Sequence, residues 1–392
     1  MNPPSPTASP LALPTDIPGG PVRIGLIGCG NFARHIHVPN LIRSPLVDLV
    51  TVADLDAVRA GEVARFAEAR PTTSAQEVLS DPAVEAVLIA VRDAEQTPLV
   101  EAALEAGKDV YVEKPAGTDP RQLRRLHDRA TALGRIVQVG MQKRFAPLYQ
   151  RAKVLLDADG GVSNLFLRMV DDAWRWATGY APGSLLAHDV CHHFDLAACF
   201  TGAPIQRVYA QRARPDDDAI LLTMENGAVV TIICSGHGTM DMPKERLEGV
   251  SRRGGVVVND FVELHAYGYP GEPFRETCPL VLSPKVREWL GDEPLPEGAE
   301  GLARIRRAAW LARQPSATGE DPSLAPNPLS LLIPNFLREQ GWLPSVETFC
   351  RQVRGVKDLE TPNLLSAACA LEAAHAAYRS LESGLAERPG EG

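Results

Sequence analysis

The chain has 392 residues, 45% of them hydrophobic and 23% charged, with a formal net charge of −9. That length exceeds one typical core and predicts two globular domains of ordinary soluble composition. The acidic balance argues against non-specific nucleic-acid binding, and no apolar run reaches membrane-spanning length.

Residues 1–20 are proline-rich and lack a basic stretch followed by a long apolar one. They predict a disordered tail rather than a signal peptide. The seven cysteines, at 29, 191, 199, 234, 278, 350 and 369, are scattered and show no paired metal spacing. They read as buried reduced thiols of a cytoplasmic protein.

Val22 to Ile27 is an apolar run that leads straight into Gly28-Cys29-Gly30-Asn31-Phe32-Ala33. The Gly-x-Gly-x-x-Ala spacing suits a buried parallel strand turning tightly into a helix. Gly28 permits the turn, Gly30 lets the backbone approach a pyrophosphate, and Ala33 lets the helix pack on the strand. The helix N-terminus, at Asn31 and Phe32, offers free N–H groups to the phosphates. That helix is predicted to run to about residue 43.

Residues 46–53 form the next strand and end at Asp54, roughly 20 residues past the fingerprint. A carboxylate there suits the adenosine ribose hydroxyls and repels a 2′-phosphate. NAD is favoured over NADP, although Arg59 is near enough in sequence to accommodate a phosphate. A helix follows at 57–69, stopped at Pro71, then a strand at 84–91. A helix from Leu99 to Ala106 ends at Gly107. Asp109 to Val112 is a short strand followed by Glu113-Lys114-Pro115. A helix at 119–133 and a strand at 135–140 complete an alternating pattern. Such alternation predicts a doubly wound parallel sheet over residues 21–146.

The chain resembles the Gfo/Idh/MocA family of NAD(P)-dependent oxidoreductases of sugars and cyclitols. The resemblance rests on the glycine turn, Asp54, the stretch Ala106-Gly107-Lys108-Asp109-Val110-Tyr111-Val112-Glu113-Lys114-Pro115, and Val139-Gly140-Met141-Gln142-Lys143-Arg144-Phe145. It covers roughly residues 20–270 and resumes in the last forty. Family members usually carry a histidine where this chain has Gln96, beside the nicotinamide side of the cofactor.

The second domain is predicted over 147–362. Strands are expected at 162–170, 208–212, 219–224, 229–233, 256–258 and 261–264. Asn226-Gly227 is a hairpin signal and Asn259-Asp260 a further turn. Consecutive strands with tight turns predict a mostly antiparallel sheet in an α+β domain. The resemblance implies that its free face mediates assembly into a homodimer or homotetramer. Residues 270–345 depart from the family core and read as a surface insertion packed by its own aromatic residues. They include a basic amphipathic helix at 302–311; a substrate lid or an oligomer contact is a minority reading. Residues 363–392 hold a closing helix, to about 383, and a tail.

Oxidising a secondary alcohol needs a hydride acceptor near the carbinol C–H, a base for the hydroxyl proton, and groups that hold the ring. Lys114 follows a strand end, where ligands of such sheets bind. A lysine there can hydrogen-bond the reacting oxygen, and desolvation or nearby charge can lower its pKa. The resemblance makes Lys114 the catalytic lysine and places Glu113 and Lys114 beside the cofactor. Gly183 to Leu196 resembles the family segment in which a carboxylate precedes the catalytic histidine by four residues. His192 matches that histidine, and Asp195 a later aspartate able to orient an imidazole. Here His188 occupies the carboxylate position, with Asp189 next to it. On one continuous helix, 188, 192 and 195 share a face. His188 is the preferred substrate-facing group and takes the relay role itself; the alternative is that Asp189 reaches in. His193 reads as a packed or partner-facing histidine.

Arg144 is either a substrate contact or a structural ion pair. Among Trp174, Arg175 and Trp176, Trp176 and Arg175 are candidate sugar contacts. His188-Asp189-x-x-His192 neighbours a zinc-binding spacing, but no third ligand is evident and no metal is expected. The leading expectation is an NAD-dependent dehydrogenase of a sugar, sugar derivative or cyclitol. The alternatives are a glycoside-cleaving enzyme that oxidises transiently and a non-catalytic dinucleotide-binding regulator.

Overall fold

A computed structural model describes residues 17–173, 180–291, 294–312 and 328–391. Six strands form the first sheet: β1 Val22–Ile27, β2 Val47–Ala53, β3 Arg70–Thr72, β4 Ala86–Ile89, β5 Asp109–Val112 and β6 Val137–Val139, in the order β3-β2-β1-β4-β5-β6. Every pairing is parallel. β4 and β5 are buried along their whole length, as helices on both faces require. The strand order reverses between β1 and β4, and ligands of such sheets bind in that crevice.

Several local expectations are corrected. The first helix runs over 31–43 but opens into a π-turn at Ala33–His37, just before Val38–Arg43. Pro39 has no N–H to donate and its ring crowds the preceding turn, which a wider turn relieves. Pro71 does not only stop a helix. It sits in the edge strand β3, where a missing N–H is tolerated. The helix Ala75–Ser80, capped by Ser74, has too short an apolar pattern to read in sequence. The next helix starts at Asp93, not Leu99, and contains Pro98. Residues 1–16 of the expected tail lie outside the described residues, but Ile17 is buried and Gly20 closes a turn on it.

The second sheet has eight strands: β7 Asn164–Val170, β8 Ile205–Arg214, β9 Asp217–Met224, β10 Val229–Ser235, β11 Glu245–Val250, β12 Gly255–Asn259, β13 Glu263–Tyr267 and β14 Arg275–Thr277. Their order is β14-β13-β12-β11-β7-β10-β9-β8. Only the β7–β10 pairing is parallel. Asn226 and Gly227 make a hairpin in which Gly227 takes a φ of +86° and donates to the Met224 carbonyl. At Asn259 the turn is tighter. Asp260 and Phe261 both have positive φ, 46° and 65°, so the strand expected from Phe261 begins at Glu263. Phe261 is held in this strained position by burial against the Tyr149 ring, 4.8 Å away.

One face of this sheet is covered by helices Pro147–Ala158, Cys191–Thr201 and Leu364–Ser383. The last also packs on helix Pro120–Ala132 of the first domain, where Glu372 takes Arg124 at 2.7 Å, and so ties the two domains. Asn363 and Ser366 form its capping box.

The insertion is not a surface appendage throughout. It ends at residue 345, inside helix Trp342–Val353, and that helix packs on the first domain: Phe349 meets Tyr111, and Gln138 donates to the Ser345 carbonyl. That helix therefore lies outside the expected 147–362 domain in space. The basic helix spans Gly298–Ala312.

Candidate functional site

The glycine turn forms one wall. Gly28 has a φ of +100°, and a Cβ there would lie 2.3 Å from the Ala90 carbonyl oxygen, so only glycine fits. A Cβ on Gly30 would meet nothing within 4 Å. The space above the turn is an open cradle at a helix N-terminus, the shape and polarity a pyrophosphate requires. Asp54 is fixed at the end of β2. Its carboxylate accepts from the Cys29 N–H at 2.8 Å and the Asp56 N–H at 2.9 Å, and Arg59 lies 3.2 Å away. Asn31 is exposed, with its side-chain oxygen 3.3 Å from Arg34. Phe32 packs edge-on against His37 and Trp342, and Ala33 is buried. Among the cofactor-side residues expected, the side chains of Phe32 and Ala33 therefore pack inward, and only their backbone faces the turn.

Glu113 also turns inward. Its carboxylate meets His37 Nε2 at 2.8 Å and accepts from the Lys114 N–H at 3.0 Å. A Cβ on Gly140 would come within 2.5 Å of it, so Gly140 makes room for this buried pair. Gln96 donates to the Pro115 carbonyl at 2.7 Å and fastens the turn that follows Lys114.

Lys114 projects from the end of β5 toward the second domain. Its Nζ donates to the His188 carbonyl at 2.6 Å and lies 3.5 Å from Asp189 Oδ1. Burial works against its charge, but Asp189 above all, with Cys191 and Glu113, lifts its pKa above the ordinary lysine value. The expected lowering does not occur, because a carboxylate rather than another cation faces it.

The histidine segment is not one helix. Leu185–His188 is a single turn, Asp189 departs from helical geometry (φ −125°, ψ −37°), and Cys191–Thr201 follows. The break separates 188 from 192. His188 Nδ1 lies 3.1 Å from Asp93 Oδ2, and its ring sits 4.1 Å from that of Tyr180. Asp189 takes the inward position, 4.0 Å from Lys244 as well as beside Lys114. Burial would raise its pKa, but Lys244, Lys114 and Lys143 outweigh burial and keep it ionised far below the usual range. His192 is buried, and no hydrogen-bond partner for its Nδ1 occurs among the described residues. Burial, then Lys114 and Lys143, hold its pKa well below that of free imidazole, so it is neutral. Asp195 does not orient an imidazole. It accepts from Arg144 through both oxygens, with Nε at 2.9 Å. Arg144 is thus a partner of the helix Cys191–Thr201, and its guanidinium is already engaged.

Behind these groups lies a buried ion-pair network that sequence reasoning misses. Lys143 donates to Glu245 at 2.7 Å, and His193 Nε2 is 3.2 Å from the other Glu245 oxygen. Burial would raise the Glu245 pKa, but Lys143 and His193 lower it to about 2. Lys244 donates to Asp171 at 2.5 Å. The signal for Lys143 is its place in the family stretch Val139 to Phe145, one residue before Arg144. Lys244 precedes β11 and Glu245 opens it, and the strand has no apolar run to announce it. Trp174, Arg175 and Trp176 lie outside the described residues. Among the described residues, no cluster of three or more His, Cys, Asp or Glu side chains is arranged to hold a metal, and no helix is long and apolar enough to cross a membrane.

Known proteins share this architecture. Residues 22–141 match the model of an oxidoreductase family with an NAD-binding Rossmann fold, and residues 122–255 match the GFO/IDH/MocA C-terminal domain. Inositol 2-dehydrogenase 3 of Saccharopolyspora erythraea is 38% identical over 141 residues, 36% of this chain and 41% of that protein. The scyllo-inositol 2-dehydrogenase (NAD(+)) of Bacillus subtilis is 29% identical over 196 residues, 48% of this chain and 56% of that protein. The matched stretch thus spans about half the length of these curated relatives. An oxidoreductase from Agrobacterium radiobacter, crystallised with NAD+, L-tartaric acid and magnesium, superposes with a TM-score of 0.70 at 16% identity, covering 94% of this chain and 98% of that one. At that identity the likeness establishes the fold.

Proposed function

This chain belongs to the Gfo/Idh/MocA oxidoreductase family, with an NAD-binding Rossmann domain, and we propose that it is an NAD-dependent dehydrogenase acting on a secondary alcohol of a cyclitol or sugar. The observation that carries the reading is the meeting of Lys114, Asp189 and His192 at the carboxyl end of the sheet whose glycine turn is open for a dinucleotide. The inositol dehydrogenases among its relatives support the cyclitol class.

Gly28, Gly30 and the backbone of Asn31 and Phe32 would hold the pyrophosphate, and Asp54 the ribose hydroxyls. The bound nicotinamide supplies the hydride acceptor. The rest belongs to the chain's own side chains. The Lys114 ammonium donates to the substrate oxygen and stabilises negative charge as it develops. Asp189 stays ionised and holds that ammonium in place. His192, neutral across the physiological range, accepts the hydroxyl proton on its ring. Its conjugate acid is disfavoured by Lys114 and Lys143, so the proton is given up to water when the product leaves. His188, turned toward Asp93, forms the wall of the cleft rather than the relay. Asp189 therefore fills the role of the carboxylate expected four residues before His192.

The outer face of the second sheet leaves Leu221, Val250 and Tyr267 exposed. We assign this face to self-association into a dimer or tetramer.

The test is purification, mass spectrometry of the bound nucleotide, and NADH absorbance against a panel of inositols, sugars and glycosides. NAD binding with net NADH formation on a polyol is the expected result. Failure to bind any dinucleotide refutes the reading.

A further inference from the structure

We propose that Arg306, on the insertion helix Gly298–Ala312, is a positioning residue that sets Lys244 and Glu245 in the substrate site through the carboxylate of Asp260. This rests on the dehydrogenase reading for its consequence in turnover.

The chain of contacts is short. Arg306 is buried and its guanidinium lies 3.4 Å from Asp260 Oδ1. That same oxygen accepts from the backbone N–H of Lys244 at 2.9 Å and of Glu245 at 2.8 Å. The Asp260 N–H in turn donates to the Glu245 carbonyl at 2.9 Å. A second Arg306 nitrogen donates to the Met240 carbonyl at 3.4 Å, and neighbouring Arg307 takes Asp241 at 2.8 Å. One helix turn therefore clamps both the loop that enters β11 and the turn that leaves β12.

The location gives this clamp its consequence. Lys244, just before β11, and Glu245, its first residue, carry charge into the site. Lys244 bonds Asp171 and reaches Asp189, while Glu245 holds Lys143 and His193. Asp260 and its successor Phe261 sit at positive φ without being glycine, a turn that needs outside support to persist. Arg306 supplies that support from a segment to which the family resemblance assigns no role. The insertion is thus a brace for the second-domain half of the site.

The experiment compares the full chain with Arg306→Met, Arg306→Lys and, as a control on the same helix, Arg304→Ala, whose guanidinium pairs with Glu300 one turn away. Each is labelled with an amine-reactive reagent, and the rates at Lys244 and at exposed Lys285 are read by mass spectrometry. In Arg306→Met, Lys244 is expected to label about fivefold faster while Lys285 is unchanged, with Arg306→Lys partly rescued and Arg304→Ala unaltered. The polyol KM rises about tenfold with NAD affinity unchanged. A folded Arg306→Met with unaltered Lys244 labelling overturns the proposal. If that variant does not fold, Arg306→Gln, which keeps one donor, carries the same comparison with the same two outcomes. A chain that oxidises no polyol in any form refutes the dehydrogenase reading, and the Lys244 labelling still decides this one.

Discussion

The two walls of the site are built in different ways. On the first-domain side, each group comes from the end of a buried strand: Gly28 and Gly30 after β1, Asp54 after β2, Lys114 after β5. Their positions follow from the sheet itself, because parallel strands deliver their carboxyl ends to one edge. On the second-domain side, Asp189 sits at a helix break, Lys244 and Glu245 at the start of a strand, and Asp93 faces His188 from the opposite domain. These groups are held by one another and by the insertion. The first wall is fixed by local backbone rules, whereas the second depends on contacts between residues far apart in the chain.

The largest expected effect tests whether the first wall carries chemistry. Lys114→Met should lower kcat about a thousandfold, within the range of positioned proton and charge catalysis. NAD affinity, read by nucleotide fluorescence, should stay within about twofold, because the glycine turn and Asp54 are untouched. Equal turnover by Lys114→Met would remove the site from β5 altogether.

The next comparison sits on the second wall. Asp189→Asn removes the charge that holds Lys114 and should cost about a hundredfold in kcat/KM. His188→Asn, beside Tyr180 and Asp93, should cost less than about fivefold. The reverse ranking would return the relay to His188 and strip the helix break of its part in placing Asp189. Arg144→Lys loses its two-oxygen grip on Asp195 and should lower thermal stability more than it alters KM.

A smaller effect sharpens the first wall. Gly30→Val should leave the fold intact, since a Cβ there meets no protein atom within 4 Å. It fills the cradle, so NAD affinity should fall by about thirtyfold with little change in melting temperature. Gly28→Val should instead lower stability, because its Cβ collides with the Ala90 carbonyl and its φ is unfavourable. Two glycines two residues apart would then separate binding from folding.

The contrast between the walls also explains what can be read in advance. The parallel sheet, the glycine turn, Asp54 and the Lys114 stretch are legible because strand length, apolar runs and glycine spacing are local signals. The antiparallel sheet is legible where a glycine hairpin or a valine run marks it, at β9, β10 and β12. β11 escapes because Glu245-Arg246-Leu247-Glu248-Gly249-Val250 buries alternate residues that include a charge paired only across the domain. Helical periodicity places 188 and 192 on one face, but the local break at Asp189 exchanges the inward position between neighbours. Helix 342–353 straddles the expected end of the insertion at residue 345, and its apolar face belongs to the first sheet. No pattern along the chain records that Arg306 meets Asp260.

The smallest effect concerns proton uptake by the second wall. His192 and His193 are both buried with pKa values held below that of free imidazole, in each case first by burial and then by cationic neighbours. In the unfolded chain they take up protons near pH 6.5. The folded state resists that uptake, so each contributes a stability that is complete above pH 6.5 and declines as pH falls toward its lower folded value. Glu245, lowered to about 2 in the folded protein, adds a loss that starts only below its ordinary range, near pH 4.5. As pH falls below 6.5, unfolding free energy should therefore fall, by at most about 1.4 kcal/mol per pH unit for each histidine. His193→Gln should flatten that limb, provided the glutamine keeps its bond to Glu245, and leave the loss below pH 4.5 in place. Urea titrations across this range measure both. An unchanged slope in His193→Gln would mean that the second wall already admits a proton at His193, and its buried charges would then be less tightly paired than the first wall's glycine turn and strand ends require of their partner surface.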